Sequence, residues 1–587
     1  MRAAAALAWR LLRTSGRRDA TTVGLGVLAF AVTTALLLFV LAGLHGFGQR
    51  AEREAYRAPS ASTQSDAVAV LARHAHQVAG RPLTVLDIAV IRESTAPPPG
   101  LPRPPRPGEL WVSPGLAGLL EQGGPAVLPH LADRGTDAAR LTGRIDQRGL
   151  LHRDELLAVV GRDAADPGMR PGVAFEGVDP PRFVATLDGP ARGGLAATAS
   201  SVYVLLAQVA AVLLVVPLLT LGGAAARLGV ARRDHRLATL RLIGATRRQI
   251  LTVSAVEALL AGVTGATLGV MAYAAVLIPL GSRLSFQAGL FTAGELWLGV
   301  GPTLAVVVAV TVLAALSAVL GLRRLVISPL GVARRQNPPG LRLLRLLALV
   351  AVVVGWGVAG GSTAVLGVGV VLVLLAVVFG VLNIVGPWLV AVAGRFAART
   401  ARRPEQLLAG RRLVADPKGA WRSVSGLALA GFVAAVVSVA PALSAGMDQA
   451  DVEGRVFARD LLTGAILTLA IVFAVAAASG GIAQAGAILD RRRTLGQLVL
   501  AGTPVRVLQR ARRREVLIPL LLTLALSVGL GRFFLVPLAG VALVADPRGL
   551  LALAACLAAG TGLVLAATAG SGRLLRTVVS DVHPEPD

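Results

Sequence analysis

Apolar runs of about twenty residues, separated by short arginine-rich stretches, fill most of the chain. A run of that length is what an α-helix needs to cross the hydrocarbon core of a bilayer. The runs at 21–44, 202–221, 256–280 and 296–320 predict four spans. The stretch 346–393 is apolar apart from Gly360, Gly361, Ser362 and Thr363, and both its flanks are basic. Like-charged flanks require an even number of crossings, so it reads as two spans joined by a tight turn. A further run covers 424–443, and three more start near Leu461, Val516 and Leu550, which brings the predicted total to about ten. The first run exceeds the roughly 7–15 residues of a signal-peptide core, so it reads as a retained span.

One large polar segment, 45–200, interrupts the pattern. Its tract APPPGLPRPPRPGEL reads as an extended loop. The run LTVLDIAVI is strand-like and RDELLAVV helix-like, so a small mixed α/β domain is expected. Arg2, Arg10, Arg13, Arg17 and Arg18 precede the first span, and Arg573 and Arg576 follow the last. By the positive-inside rule both termini are cytoplasmic, and the polar domain is extracytoplasmic.

Composition sharpens this reading. The mean hydropathy is +0.69 and 55% of residues are hydrophobic, which excludes an ordinary soluble domain. A net charge of +25 would suit a nucleic-acid binder, but the arginines sit in clusters between spans. Nucleic acid is therefore excluded as a partner, and the bilayer is the expected one. Cys556 is the only cysteine, so there is no disulfide framework. The only lysine, Lys418, lies in ADPKGAW, without the glycine-rich loop that cradles phosphate. No catalytic residue, cofactor site or metal site is expected. His74 and His76 read as surface polar residues, and Arg532 as a side chain reaching for the outer surface. Asn383 reads as an interhelical hydrogen bond, and Trp297 and Trp388 as interfacial anchors.

A stretch of the chain occurs twice. RDHRLATLRLIGATRRQIL, starting at Arg233, aligns without a gap on RRRTLGQLVLAGTPVRVLQ, starting at Arg491, about 258 positions on. Leu237 falls on Leu495, Leu240 on Leu498, Gly244 on Gly502, Glu257 on Glu515 and Pro279 on Pro537. The match also extends outward. LAWRLLRTSGRRDATTVG before the first span resembles LAGRRLVADPKGAWRSVS before the seventh, at an offset of about 401. The two offsets differ by about 143, the size of the polar domain, which is therefore an insertion in the first unit. The expected organisation is residues 1–44 for the N-terminus and first span, 45–200 for the inserted domain, and 201–335 for spans two to four. A two-span linker at 336–394 and a second four-span unit at 395–587 follow.

Leu237, Leu240 and Gly244 share a helical face, ringed by Arg233, Arg236 and Arg247. This predicts a short amphipathic helix that runs straight into the third span and docks in a partner's groove or lies on lipid. Glu257 and Glu515 open the following spans. Each reads as a helix-start carboxylate paired with a nearby arginine, such as Arg247 or Arg513.

The L-x-x-L-R-x-[IL]-G core at Leu237, Leu240, Arg241, Ile243 and Gly244, with Glu257 opening the next span, resembles the FtsX-like permease family. The second unit departs from the pattern, with Val499 in place of Arg241 and Pro504 in place of Thr246. The resemblance implies a membrane subunit of a mechanotransmission ABC transporter whose ATPase is a separate chain. Arg233, Arg236, Leu237, Leu240, Arg241 and Gly244 would form one ATPase-coupling helix, and Arg491, Leu495, Leu498 and Gly502 the other. Two ATPase subunits would then seat on one chain. It further implies a hydrophobic or amphipathic substrate such as an antibiotic, a peptide or a lipid. A regulator of a cell-wall hydrolase or sensor kinase, working through an extracytoplasmic partner, is the second reading. An ion-coupled transporter is the third, disfavoured by the scarcity of carboxylates within the spans.

Overall fold

A backbone in hydrocarbon has no water to bond, so apolar runs that enter a bilayer must close their own hydrogen bonds as helices. The computed structural model describes residues 17–59, 61–78, 80–92, 95–123, 140–171, 180–188, 199–242, 246–326, 368–446, 452–490 and 505–580. Among these, eight helices are long and apolar enough to cross a membrane. They correspond to the predicted spans one to four and six to nine. The predicted fifth span lies outside the described residues. At the predicted tenth stands a helix over Pro547–Ser580. The chain is a mostly helical, multi-pass membrane protein with a small mixed sheet.

In order, the long helices are α1 (Arg17–Glu54), α3 (Ala199–Leu242), α4 (Arg247–Ala272) and α6 (Val300–Val326). They continue with α7 (Val368–Arg399), α9 (Pro417–Val437), α11 (Val452–Asp490), α12 (Val505–Val544) and α13 (Pro547–Ser580). Shorter helices are α2 (Pro114–Gly123), α5 (Ile278–Gly281), α8 (Pro404–Ala415) and α10 (Ala440–Gly446). Several of the long helices overrun their predicted spans, α1 and α3 among them. At 38 residues α1 is about 57 Å long, and at 44 residues α3 is about 66 Å, against about 30 Å of hydrocarbon.

Glycines let the helices approach closely. Gly265 and Gly269 of α4, one turn apart, face Val27–Ala35 of α1 so tightly that a Cβ would strike Phe30, Thr34 or the α1 carbonyls. In the second half Gly531 of α12 meets Phe432 and Ala435 of α9 in the same way. One continuous apolar core joins both halves, through Leu38 and Phe39 of α1, Leu214 of α3, Phe432 of α9, Val472 of α11 and Leu520 of α12.

The polar segment folds around a six-stranded mixed sheet ordered β4-β3-β5-β2-β1-β6. Its strands are β1 (Ala69–Val78), β2 (Arg81–Val90), β3 (Glu109–Val112), β4 (Arg140–Arg144), β5 (Leu156–Gly161) and β6 (Arg182–Val184). The run RDELLAVV, expected to be helical, supplies β5. Leu156, Ala158 and Val160 pack on α2, while Leu157 and Val159 face the opposite core, a period of two that only a strand satisfies. His74 is another correction. It is buried rather than superficial, 2.7 Å from Asp87, which also accepts from Arg162 Nε at 3.2 Å. Burial alone would raise the Asp87 carboxyl, but His74 and Arg162 hold it below the usual carboxylate range.

Candidate functional site

The domain rides on α1. The helix ends in a 3-10 turn, Ala55–Arg57, whose side chains are buried in the domain. Arg57 reaches both oxygens of Glu155, at 2.5 and 3.0 Å, and the Gly149 carbonyl at 2.7 Å. Tyr56 donates to the same carbonyl at 2.9 Å. Burial would raise the Glu155 carboxyl, but Arg57 opposite it keeps it depressed and ionised. Buried hydrogen bonds thus join the end of span one to the domain.

One turn back, Arg50 is fully buried and holds a tiny hairpin, β7 (Ser285–Phe286) and β8 (Gly289–Leu290), which follows α5. It donates to the carbonyls of Phe286 and Leu290, both at 2.8 Å, and to Glu295 at 3.3 Å, with its guanidinium 4.0 Å from the Phe291 ring centre. Arg53 also meets Glu295, at 2.8 Å. Burial would raise the Glu295 carboxyl; Arg50 and the Thr292 N–H hold it down. His152 of the domain lies on Gly289, where no Cβ would fit.

The hairpin tip reaches the other half of the chain. Gln287 N–H donates to Asp460 of α11 at 2.6 Å, and Gln287 Nε2 donates to Ser200 of α3 at 2.6 Å. The same carboxylate accepts from Tyr203 of α3 at 2.7 Å. Glu54 caps the start of α3 by accepting from Ser200 N–H at 2.8 Å. Tyr203 and Asp460 are 257 positions apart, almost the repeat offset. This bond ties the first half of the chain to the second. A second tie is Arg73 of β1 on Glu453 of α11, at 2.9 and 3.1 Å.

The opposite, arginine-rich end holds the residues singled out from the sequence. Arg233, Arg236, Leu237, Leu240 and Arg241 occupy the last turns of α3. They are not a separate short helix leading into the third span: one unbroken helix runs from the Glu54 cap to Leu242. The break comes after it, and Thr246 starts α4 with a capping box to Gln249. Gly244, and with it Arg491, Leu495, Leu498 and Gly502, lies outside the described residues. Glu257 and Glu515 do not sit at helix starts, since α4 begins at Arg247 and α12 at Val505. Glu515 lies 3.6 Å from Arg412 of α8, rather than against Arg513. The sequence reading missed the whole domain-end network. Its only sequence signal was charge inside or beside apolar runs, at Arg50, Arg53, Glu54 and Asp460.

Residues 209–328 match a family model described as FtsX-like permease C-terminal. This segment is therefore similar to the FtsX-like permease family. The matched segment runs from within α3 to the end of α6, and so contains the first arginine-rich segment and the hairpin that binds Asp460. No curated protein matches the chain. FtsX-like permeases are membrane subunits, and α3 runs between the domain-end contacts and the arginine-rich segment.

Proposed function

We propose that this FtsX-like chain is the permease subunit of an ABC transporter, with ten spans, both termini cytoplasmic and the sheet domain extracytoplasmic. A separate ATPase, two copies per chain, drives it from the cytoplasmic side. One observation carries this reading: α3 is a single helix with the coupling residues Arg233–Arg241 at one end and the Ser200–Tyr203 contacts to the hairpin and Asp460 at the other. A helix resists axial compression, so a displacement of its cytoplasmic end reaches the junction beneath the domain with little loss. The domain then moves with α1, through Glu54 on Ser200 and Arg57 on Glu155. The work so delivered would export or extract a hydrophobic or amphipathic molecule, such as an antibiotic, a peptide or a lipid.

The test replaces Leu240 and Gly244 by Asp in the chain reconstituted with its ATPase. Stimulated ATP hydrolysis should vanish while the permease remains folded; undiminished hydrolysis would refute docking at this end. The reading as a non-transporting regulator of a cell-wall hydrolase or sensor kinase uses the same rods. It would be favoured instead if hydrolysis proceeds without any response to a cargo.

A further inference from the structure

The two arginine-rich ends differ in their charged residues. In the second unit, α8 lies antiparallel against the end of α7, so close that a Cβ on Gly394 would strike Leu413 and one on Gly410 would strike Ala398. Its other side packs on α12. There two ion pairs cross: Glu405 of α8 with Arg514 of α12 at 3.8 Å, and Arg412 of α8 with Glu515 of α12 at 3.6 Å. Glu405 is 6% exposed, so it faces this contact rather than open water. Each helix contributes one acid and one base, so a shift of α12 along or around α8 breaks both pairs together. From the end of α8, Asp416 accepts from Gly419 N–H at 2.9 Å and caps α9, and Gly386 of α7 admits the Trp421 ring. Four helices are thereby fixed at the start of span nine, directly after the second arginine-rich segment.

The first unit has no counterpart of this clamp in its sequence. At the offset of about 401, Ala4 stands for Glu405 and Leu11 for Arg412; at about 258, Val256 stands for Arg514. Three of the four charges are gone, and only Glu257 persists, for Glu515. The second coupling segment also carries the substitutions noted above, Val499 for Arg241 and Pro504 for Thr246.

We propose that the two ends have different mechanical roles. The end at α12 is a fixed seat, locked by the crossed pairs, and the end at α3 and α4 is the moving arm. This rests on the ATPase-driven reading above and adds a direction to it: the force enters through the unit that carries the external domain, and the other unit is what it pushes against. Arg73–Glu453 and Tyr203–Asp460 are the contacts across which the two move.

The experiment uses the full chain with its ATPase in lipid nanodiscs, with Cys556→Ser as background. Spin labels are placed at exposed positions, Leu407 of α8 with Arg510 of α12, and Leu407 with Gln249 of α4. ATP binding should shift the 407–249 distance and leave the 407–510 distance unchanged. Equal shifts in both pairs would overturn the proposal while leaving the permease reading intact. ATP that is hydrolysed without moving either pair, or an ATPase that does not bind, would sink the permease reading and this one with it. The clamp has a test that needs no nucleotide. Glu405→Gln with Arg412→Gln should broaden the 407–510 distribution, and the charge reversal Glu405→Arg with Arg514→Glu should narrow it relative to Glu405→Arg alone. A distribution indifferent to these changes means there is no clamp, whatever the ATPase does.

Discussion

Gln287 and Ala288 hold φ of 56° and 60° at the hairpin tip, a pair of left-handed residues in a position that favours Asn-Gly. Each non-glycine residue there costs about 1 kcal/mol, and the turn persists because Asp460 and Ser200 bind it. Asp460→Ala should therefore destabilise the detergent-solubilised chain by about 3 kcal/mol in thermal unfolding, since Gln287 N–H and Tyr203 O–H both lose a buried acceptor. His152 supplies a pH dependence. Burial holds its imidazole below the ordinary 6.5; Glu155 pulls it up and Arg50 pushes it down, with Asp154 and Arg81 also facing it. The undocked ring then takes a proton before the docked one. Docking on the hairpin is at full strength above about pH 6.5 and weakens as pH falls below it. Glu155 and Glu295, held below the carboxylate range, add their losses only at lower pH. After correction for the intrinsic base-catalysed rate, the protection of the amides at residues 285–290 should fall as pH drops from about 7.5 to about 5.5, and His152→Gln should flatten that profile. Neither residue was legible in the sequence, because a lone carboxylate near a span start and a lone histidine carry no periodicity.

Helices and strands show where local pattern suffices. Hydropathy locates the spans, since every apolar run of span length among the described residues is helical, but not their ends. Once a helix is nucleated, a polar stretch such as Arg232–Arg241 extends it at little cost when water or a partner solvates it. For that reason α3 absorbs a segment whose amphipathic pattern suggested a helix of its own. Inserting Gly-Gly after Gly223 should keep ATPase binding but remove the response of hydrolysis to cargo, because the rod no longer carries load. RDELLAVV went wrong for a different reason: a short apolar run is helix-like or strand-like until its neighbours are known, and β2 and β3 flank it on both edges. Between α4 and α1, Gly269→Leu should cost about 1–3 kcal/mol by forcing the helices apart, measurable as a lower unfolding temperature.

At the level of the whole molecule, the two halves of the chain share one apolar core, and among the described residues Tyr203–Asp460 and Arg73–Glu453 tie them near the domain end. Bridging Cys substitutions at Arg73 and Glu453 with a short cleavable bis-maleimide should pin the domain to α11. Cargo-stimulated hydrolysis is then expected to stop and to return when the linker is cut; continued stimulation in the bridged chain would mean that this contact does not open.

The membrane-spanning character follows from the sequence alone, because length and hydropathy are properties of order along the chain. Which charges meet does not. Arg50 with the hairpin carbonyls, Asp460 with Tyr203 and Glu405 with Arg514 are separated by about 110 to 260 positions. Their pairing depends on how two sets of helices face each other in three dimensions, and a buried charge reads the same in sequence whether its partner is one turn or a whole unit away.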